Sequence, residues 1–317
     1  NSAGVDGGAV RVDADYLKVA GSTFRDNRSG DDGGAIDTYD LYLRASYFSN
    51  NYASTKGGAI WVDELASIYD SAFVGNDSGG IAGGVYIDGV NTDTSVVTGS
   101  SFINNGDDTA PTTGGGLYFW NNGALEVTNS TFIGNRAKAA GAGIYLYDSG
   151  NTYDDTITFT TLSGNLLTGV GADGAGIALA GGGGNVSARI YNSIITNNDD
   201  STGTPSDVFD DSALNGVLKN SVITSLSSSN ITGSGMATGN ALLAGLANNG
   251  GPLIGDDSAY YLPTAIPAWN SPAVGTADPT LTPSITTTQI GITRAGNVAG
   301  AMNASAPPPP VTYPPSA

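Results

Sequence analysis

The side chains of this 317-residue chain that could do chemistry are carboxylates. Asp63, Glu64 and Asp88 fall three or four residues after an aliphatic that recurs along the chain, so on adjacent turns of a repeat they would form one patch. Paired carboxylates supply the acid and the base or nucleophile that glycosidic bonds need, which makes polysaccharide hydrolysis the enzymatic reading. A lyase would instead need calcium held by carboxylates beside an Arg or Lys base. No basic residue falls in this row, which runs Asp13, Tyr39, Asp63, Asp88, Trp120, Tyr147, or in the row one residue on. We favour the alternative that these are aspartates of a solvated turn.

Other chemistry is excluded by composition. The chain has no cysteine and no histidine, which removes disulfides, thiolate metal sites and the commonest general base. Paired acids at Asp31-Asp32, Asp107-Asp108, Asp154-Asp155, Asp199-Asp200, Asp210-Asp211 and Asp256-Asp257 could hold calcium (Ca2+) in loops. None has the ligand spacing of an EF-hand or a nonapeptide calcium repeat, so no cofactor is expected. A net charge of -18, with 11 basic residues against 29 acidic, repels nucleic acid and anionic lipid. No apolar run is long enough to span a bilayer, and no basic-then-apolar leader opens the chain.

A second row carries aromatics: Arg11, Asp37, Trp61, Tyr86, Tyr118, Tyr145, Ala178. These are the expected outward residues of a strand, and four successive exposed aromatics are unusual on a solvated sheet. Trp61, Tyr86, Tyr118 and Tyr145 could stack on sugar rings, pack on a neighbouring subunit, or shield one another as a ladder. Asn-x-Ser/Thr sequons at Asn27, Asn76, Asn129, Asn185, Asn230 and Asn303 are about as many as this composition produces by chance and signal exposure at most.

What positions these rows is a repeat. Three small residues and an aliphatic recur as GGAV, GGAI, GGAI, AGGV, GGGL, GAGI and GAGI, ending at Val10, Ile36, Ile60, Val85, Leu117, Ile144 and Ile177. Ser-x-Phe-x-x-Asn keeps step at Ser22/Phe24/Asn27, Ser46/Phe48/Asn51, Ser71/Phe73/Asn76, Ser100/Phe102/Asn105 and Ser130/Phe132/Asn135. It then decays through Thr160/Leu162/Asn165, Ser193/Ile195/Asn198 and Ser221/Ile223. Apolar residues alternate at period two, as in Ile60-Trp61-Val62 and Leu41-Tyr42-Leu43, which is strand patterning.

Three short strands per coil, each paired with its counterpart about 4.8 Å away, predict an all-β fold: a right-handed parallel β-helix (solenoid) of about eight coils, roughly 40 Å long. The small triplets mark a sharp corner where backbones stack too closely for Cβ atoms. Asn27, Asn51, Asn76, Asn105, Asn135, Asn165 and Asn198 should form an amide ladder from coil to coil.

These two motifs in fixed order resemble the GGAI and FxxN repeats of polymorphic outer-membrane proteins and related bacterial β-helix adhesins, over about residues 1–230. The resemblance implies the fold and a bacterial surface location. Residues 231–305 resemble the choice-of-anchor Q module through Asn249-Gly250-Gly251-Pro252, Ser271-Pro272-Ala273-Val274-Gly275 and Gln289-x-Gly291-x-x-Arg294; Ala301-Met302-Asn303 departs from that module's usual ending. Leu242, Leu243, Leu246, Leu253, Ile254, Tyr260, Tyr261, Leu262 and Trp269 give it the apolar matter of an irregular C-terminal cap over the last core layer. Residues 306–317, with four successive prolines, should be an extended spacer.

Asn1-Ser2-Ala3 reads as the tail of a Phe-x-x-Asn unit, so the chain is expected to begin inside a coil, leaving an open end for another copy. The function expected is an exported, extracellular, non-enzymatic structural or adhesive module that stacks head to tail in a filament or sits on the cell surface. Its partners would be its own copies, a neighbouring surface protein or glycans. The runner-up is the polysaccharide enzyme using Asp63, Glu64 and Asp88, and the third reading is a glycan-binding adhesin using the aromatic row.

Overall fold

The structure, a computed structural model, describes residues 1–89, 93–121, 123–148, 154–181, 187–210, 216–227, 231–281, 285–289, 293–294 and 299–300. The spacer at 306–317, the end of the anchor-like module and the sequons at Asn185, Asn230 and Asn303 lie outside these residues.

The chain is a parallel β-solenoid of about seven turns, close to the expected eight. In the first row of strands the repeat aliphatics sit directly over one another, Ile36, Ile60, Val85, Leu117, Ile144, Ile177 and Val208 in unbroken register. The second row stacks Leu43, Ile68, Val97, Val127, Ile157, Ile190 and Leu218 in the same way. In the third, Phe24, Phe48, Phe73, Phe102 and Phe132 stack with ring centroids 4.5–5.1 Å apart, and Leu162, Ile195 and Ile223 continue the column. The three columns form one core along the axis. Each buried side chain contributes about 1.5–3 kcal/mol, realised only when the neighbouring coil is present.

The corners are set by backbone that turns left-handed. Gly57 opens its corner at φ 63°, and a Cβ on Gly58 would lie 2.2 Å from the carbonyl oxygen of Gly83 and 2.3 Å from that of Asp77. No side chain fits there.

Two expectations are revised. In the first two coils the first and second strands are not separate: Val10–Ala20 and Ile36–Arg44 run through the bend as single strands. Only Tyr39-Asp40 separate the inward Thr38 and Leu41 of the second coil, too short a link to leave the sheet, and the first coil takes up its two extra residues as a bulge between Val12 and Tyr16.

The second revision concerns the described residues of 241–300, which lie along the flank of the solenoid and not over its end. Along the outer side of the third row, Gly255 bonds Ala45, Tyr260 stacks on Tyr47, Pro263 bonds Ser101, Asp278 bonds Asn192, Gln289 bonds Ser100 and Gly300 bonds Asn192. The physical reason is on the outer face of that row. Ala72, Ile194 and Val222 point outward and reach 0% exposure only because Ile254, Leu262, Ala241, Ala273, Ala277 and Ala299 cover them. Leu242, Leu253, Tyr261 and Trp269, expected in a cap, stay exposed. Among the described residues no helix is long and apolar enough to cross a membrane.

Candidate functional site: an acidic groove continued by buried aromatics

The outer face of the first row carries the residues with chemical potential. Its middle position runs Arg11, Asp37, Trp61, Tyr86, Tyr118, Tyr145 in register from coil to coil. Over the first coils this face is acidic, and over the later ones it is aromatic.

The aromatic part is not the exposed ladder anticipated. Tyr86 and Tyr118 are 2% and 4% exposed, and Trp61 and Tyr145 are half-buried. Tyr118 stacks between Tyr86 and Tyr145 at centroid distances of 4.9 and 5.0 Å. Ile81, Ala82, Trp120 and Tyr147 pack around them as a second, outer core. The small-residue corner explains the burial: a Cβ on Gly114 would come within 2.7 Å of the Tyr118 Cβ, so the corner folds back over the base of the row. On the other side Trp120 and Tyr147 pair at 4.6 Å. Burial pushes the Tyr86 and Tyr118 phenols far above their ordinary range. Both faces of Tyr118 are taken by neighbouring rings.

The acidic part is a groove of roughly 350 Å³, lined by the carboxylates of Asp6, Asp13, Asp31, Asp32, Asp37 and Asp63 together with Arg11, Val12, Tyr39 and Trp61. Asp37 is one of these lining residues and is 6% exposed. Burial, reinforced by Asp6, raises its carboxyl to about 7 against the pull of Arg11. Arg11 itself is held by Asp6 at 3.0 Å and by Asp13.

The three sequence-predicted carboxylates are only partly brought together. Asp63 lines the groove; burial, then Glu64, raises its carboxyl. Asp88, one coil on, rises to about 6 through burial and then Asp63. Glu64 instead accepts a hydrogen bond from the Tyr39 hydroxyl. The sequence reading also missed a base: Lys56 enters from the corner before Gly57, with its Nζ 4.0 Å from Asp32 Oδ2 and 5.2 Å from the Tyr86 ring centroid. Its position just ahead of the small triplet was the available signal.

The Asn column is internal. Each Asn from Asn27 to Asn165 donates its Nδ2 to the Oδ1 of the Asn one coil on, at 2.8–3.0 Å, and its backbone N–H to the same oxygen at 3.0–3.1 Å. From Asn51 on, Nδ2 also bonds the carbonyl of the preceding coil's Phe, or of Leu162 at Asn198. A serine column, not anticipated as a ladder, does similar work at the other corner. The N–H of Ser22, Ser46, Ser71, Ser100, Thr160 and Ser193 each donates to the next coil's serine hydroxyl at 3.0–3.2 Å. These side chains are buried and committed to the stack.

Among the described residues no group of three or more acidic side chains converges closely enough to hold a metal ion.

Comparison with known proteins agrees with this geometry at the level of one coil. The Chlamydia polymorphic membrane protein repeat matches residues 45–63, the stretch that runs from the serine corner at Ser46 through Phe48 and Asn51 to Ile60 and Asp63. No curated protein and no solved structure matches the chain. The chain is a β-solenoid repeat protein similar, over that coil, to the Chlamydia polymorphic membrane protein repeat.

Proposed function

We propose that this chain is an exported rod that works outside a bacterial cell as a structural or adhesive module and not as an enzyme. The observation that carries the reading is the matched repeat at residues 45–63 set inside an unbroken stack of coils with the same corners. A fold of this kind offers long, regular sides to a partner. End-to-end association of such rods belongs to the same reading, since parallel coils of one geometry can pair strand to strand. The anchor-like residues 231–305 would lie nearest the cell. Antibody against the chain should label intact cells, and external protease should remove the label. Labelling only after lysis sinks the reading.

Polysaccharide cleavage remains the second reading, favoured by Asp63 and Asp88 on adjacent coils with Lys56 beside them. It predicts new reducing or unsaturated ends from a glycan panel, lost in Asp63→Asn.

A further inference from the structure

We infer that the acidic groove of the first coils is a binding site for an organic cation, the guanidinium or ammonium group of a basic peptide. The inference deepens the adhesive reading by naming the partner's chemistry, yet peptide binding can be measured whether or not the chain reaches a cell surface.

The groove is not only a collection of acids. Asp37 is 94% buried by its 6% exposure, lines the groove, and among the described residues makes neither a hydrogen bond nor an ion pair. The groove is where a donor or a positive charge could reach this carboxyl and stabilise its ionised form, which the burial of the rest of the residue disfavours. Arg11 cannot do so closely, because Asp6 and Asp13 already hold its guanidinium.

The protein shows what would fit. One coil on, Lys56 places its ammonium between the Asp32 carboxylate and the Tyr86 ring. Asp37 and Trp61, paired on neighbouring strands, offer the same combination of carboxylate and aromatic ring, and among the described residues no Lys or Arg lies over that ring. Cations are attracted both by the carboxylate and by the face of the ring. Six acidic residues line the groove with one arginine, and Lys56 stands at one of them, Asp32; the excess of acids that is left is one a neutral sugar would not compensate. A single metal ion is disfavoured because no three acids converge. A planar or tetrahedral cation on a flexible stem can reach several of them in turn.

Proton linkage sharpens the expectation. Asp6, Arg11, Asp13 and Asp32 are the charged groups facing Asp37, and all but Arg11 favour its protonated form. A cation must displace that proton, so binding should tighten as pH rises.

The test is calorimetry of the full chain with acetyl-triarginine amide and acetyl-trilysine amide at low salt, at pH 5.5 and 8. Calcium chloride and cellohexaose serve as comparators. We expect saturable one-to-one peptide binding, tighter at pH 8, weakened tenfold or more by Asp37→Asn and several-fold by Asp32→Asn. Asp257→Asn, an exposed acid on the flanking segment, should leave it within twofold. Circular dichroism verifies that the variants fold. Absence of saturable binding, equal weakening by Asp257→Asn, or binding of calcium or cellohexaose in preference to both peptides overturns the proposal.

Discussion

Asn198 gives both its backbone N–H (3.2 Å) and its Nδ2 (2.8 Å) to a single oxygen of Asp207, so the amide column of the solenoid ends on a carboxylate. The coil after Asn198 has Leu226 where the next Asn would fall. Asp207, directly before the first-row strand Val208–Asp210, takes its place, and its other oxygen accepts the N–H groups of Thr224 and Ser225 at 2.7 and 2.8 Å. Burial raises the Asp207 carboxyl, and these donors pull it the other way.

Asp207→Asn should therefore be worse than its isosteric appearance suggests. Four N–H donors converge on the two oxygens, so either orientation of an amide turns its NH2 toward two of them. Leaving such buried donors unpaired costs about 2–3 kcal/mol. The urea midpoint measures this; a midpoint equal to the parent's contradicts the assignment.

Within the column the loss should be larger than in the serine row. Asn105→Ala removes an acceptor of two bonds from Asn76 and the donor of bonds to Asn135 and Phe73, all at 0% exposure. Ser100→Ala removes the acceptor for Ser71 and the donor to Thr98. With about 1 kcal/mol net per buried hydrogen bond, Asn105→Ala should cost about 3–4 kcal/mol and Ser100→Ala about 1–2. Paired denaturation curves decide the order, which must not invert.

Tyr118→Thr tests whether the outer aromatics are core or contact surface. Tyr118 is 4% exposed between two stacked rings, so the substitution should cost about 3 kcal/mol, in the range of large-to-small core changes. Trp61→Thr, at a half-buried site, should cost less. Melting temperatures of the two variants are the measurement. A Tyr118 variant as stable as the parent would restore the exposed ladder.

The contrast between Phe102 and Tyr118 shows what could be read in the sequence. Phe102 was legible because period two puts it inside and the interval repeats it in each coil. Period two also puts Tyr118 on the outer face, but it carries no information about what lies over that face. The corner that buries Tyr118 is visible only as a string of small residues. Lys56 was missed for the same reason, since it arrives from a corner and not along a strand. Asp207 breaks the repeat, so no column predicts it. The flanking segment has no repeat at all, and its apolar residues say that they must be covered without saying by which face.

The pH dependence follows from carboxyls raised in the fold. Asp37 stands at about 7, and Asp77 and Asp88 at about 6, burial being the first cause in each. Below their unfolded values near 4 both states are protonated, and the stabilisation of the neutral form is fully present. As pH rises toward 6 and 7 the unfolded chain releases these protons more readily, so stability is lost across that window. The melting temperature should be higher at pH 5 than at pH 8, and Asp37→Asn should flatten the slope. A melting temperature that climbs from pH 5 to 8 contradicts the assignment.

Among the described residues, Gln289 and Arg294 are two of the polar ties that hold the flanking segment, and their removal should loosen its last stretch without melting the rod. Gln289 is 3% exposed: its Nε2 donates to the carbonyl of Ser100 and the hydroxyl of Ser101, and its Oε1 accepts from Thr131. Arg294 lies 3.5 Å above the Phe159 ring, donates to the Gly300 carbonyl at 2.9 Å and to Asn129, and is pulled down to about 9 by burial. Gln289 bridges the coils of Ser100 and Thr131, and Arg294 bonds the coil of Asn129, so together they tie the segment to two neighbouring coils. In the double variant Gln289→Ala/Arg294→Ala, limited proteolysis should cut within residues 285–300 at least tenfold faster, while the far-ultraviolet circular dichroism of the stacked strands is kept. If the rod unfolds together with the segment, the flank is part of one cooperative unit with the coils, and separable docking is wrong.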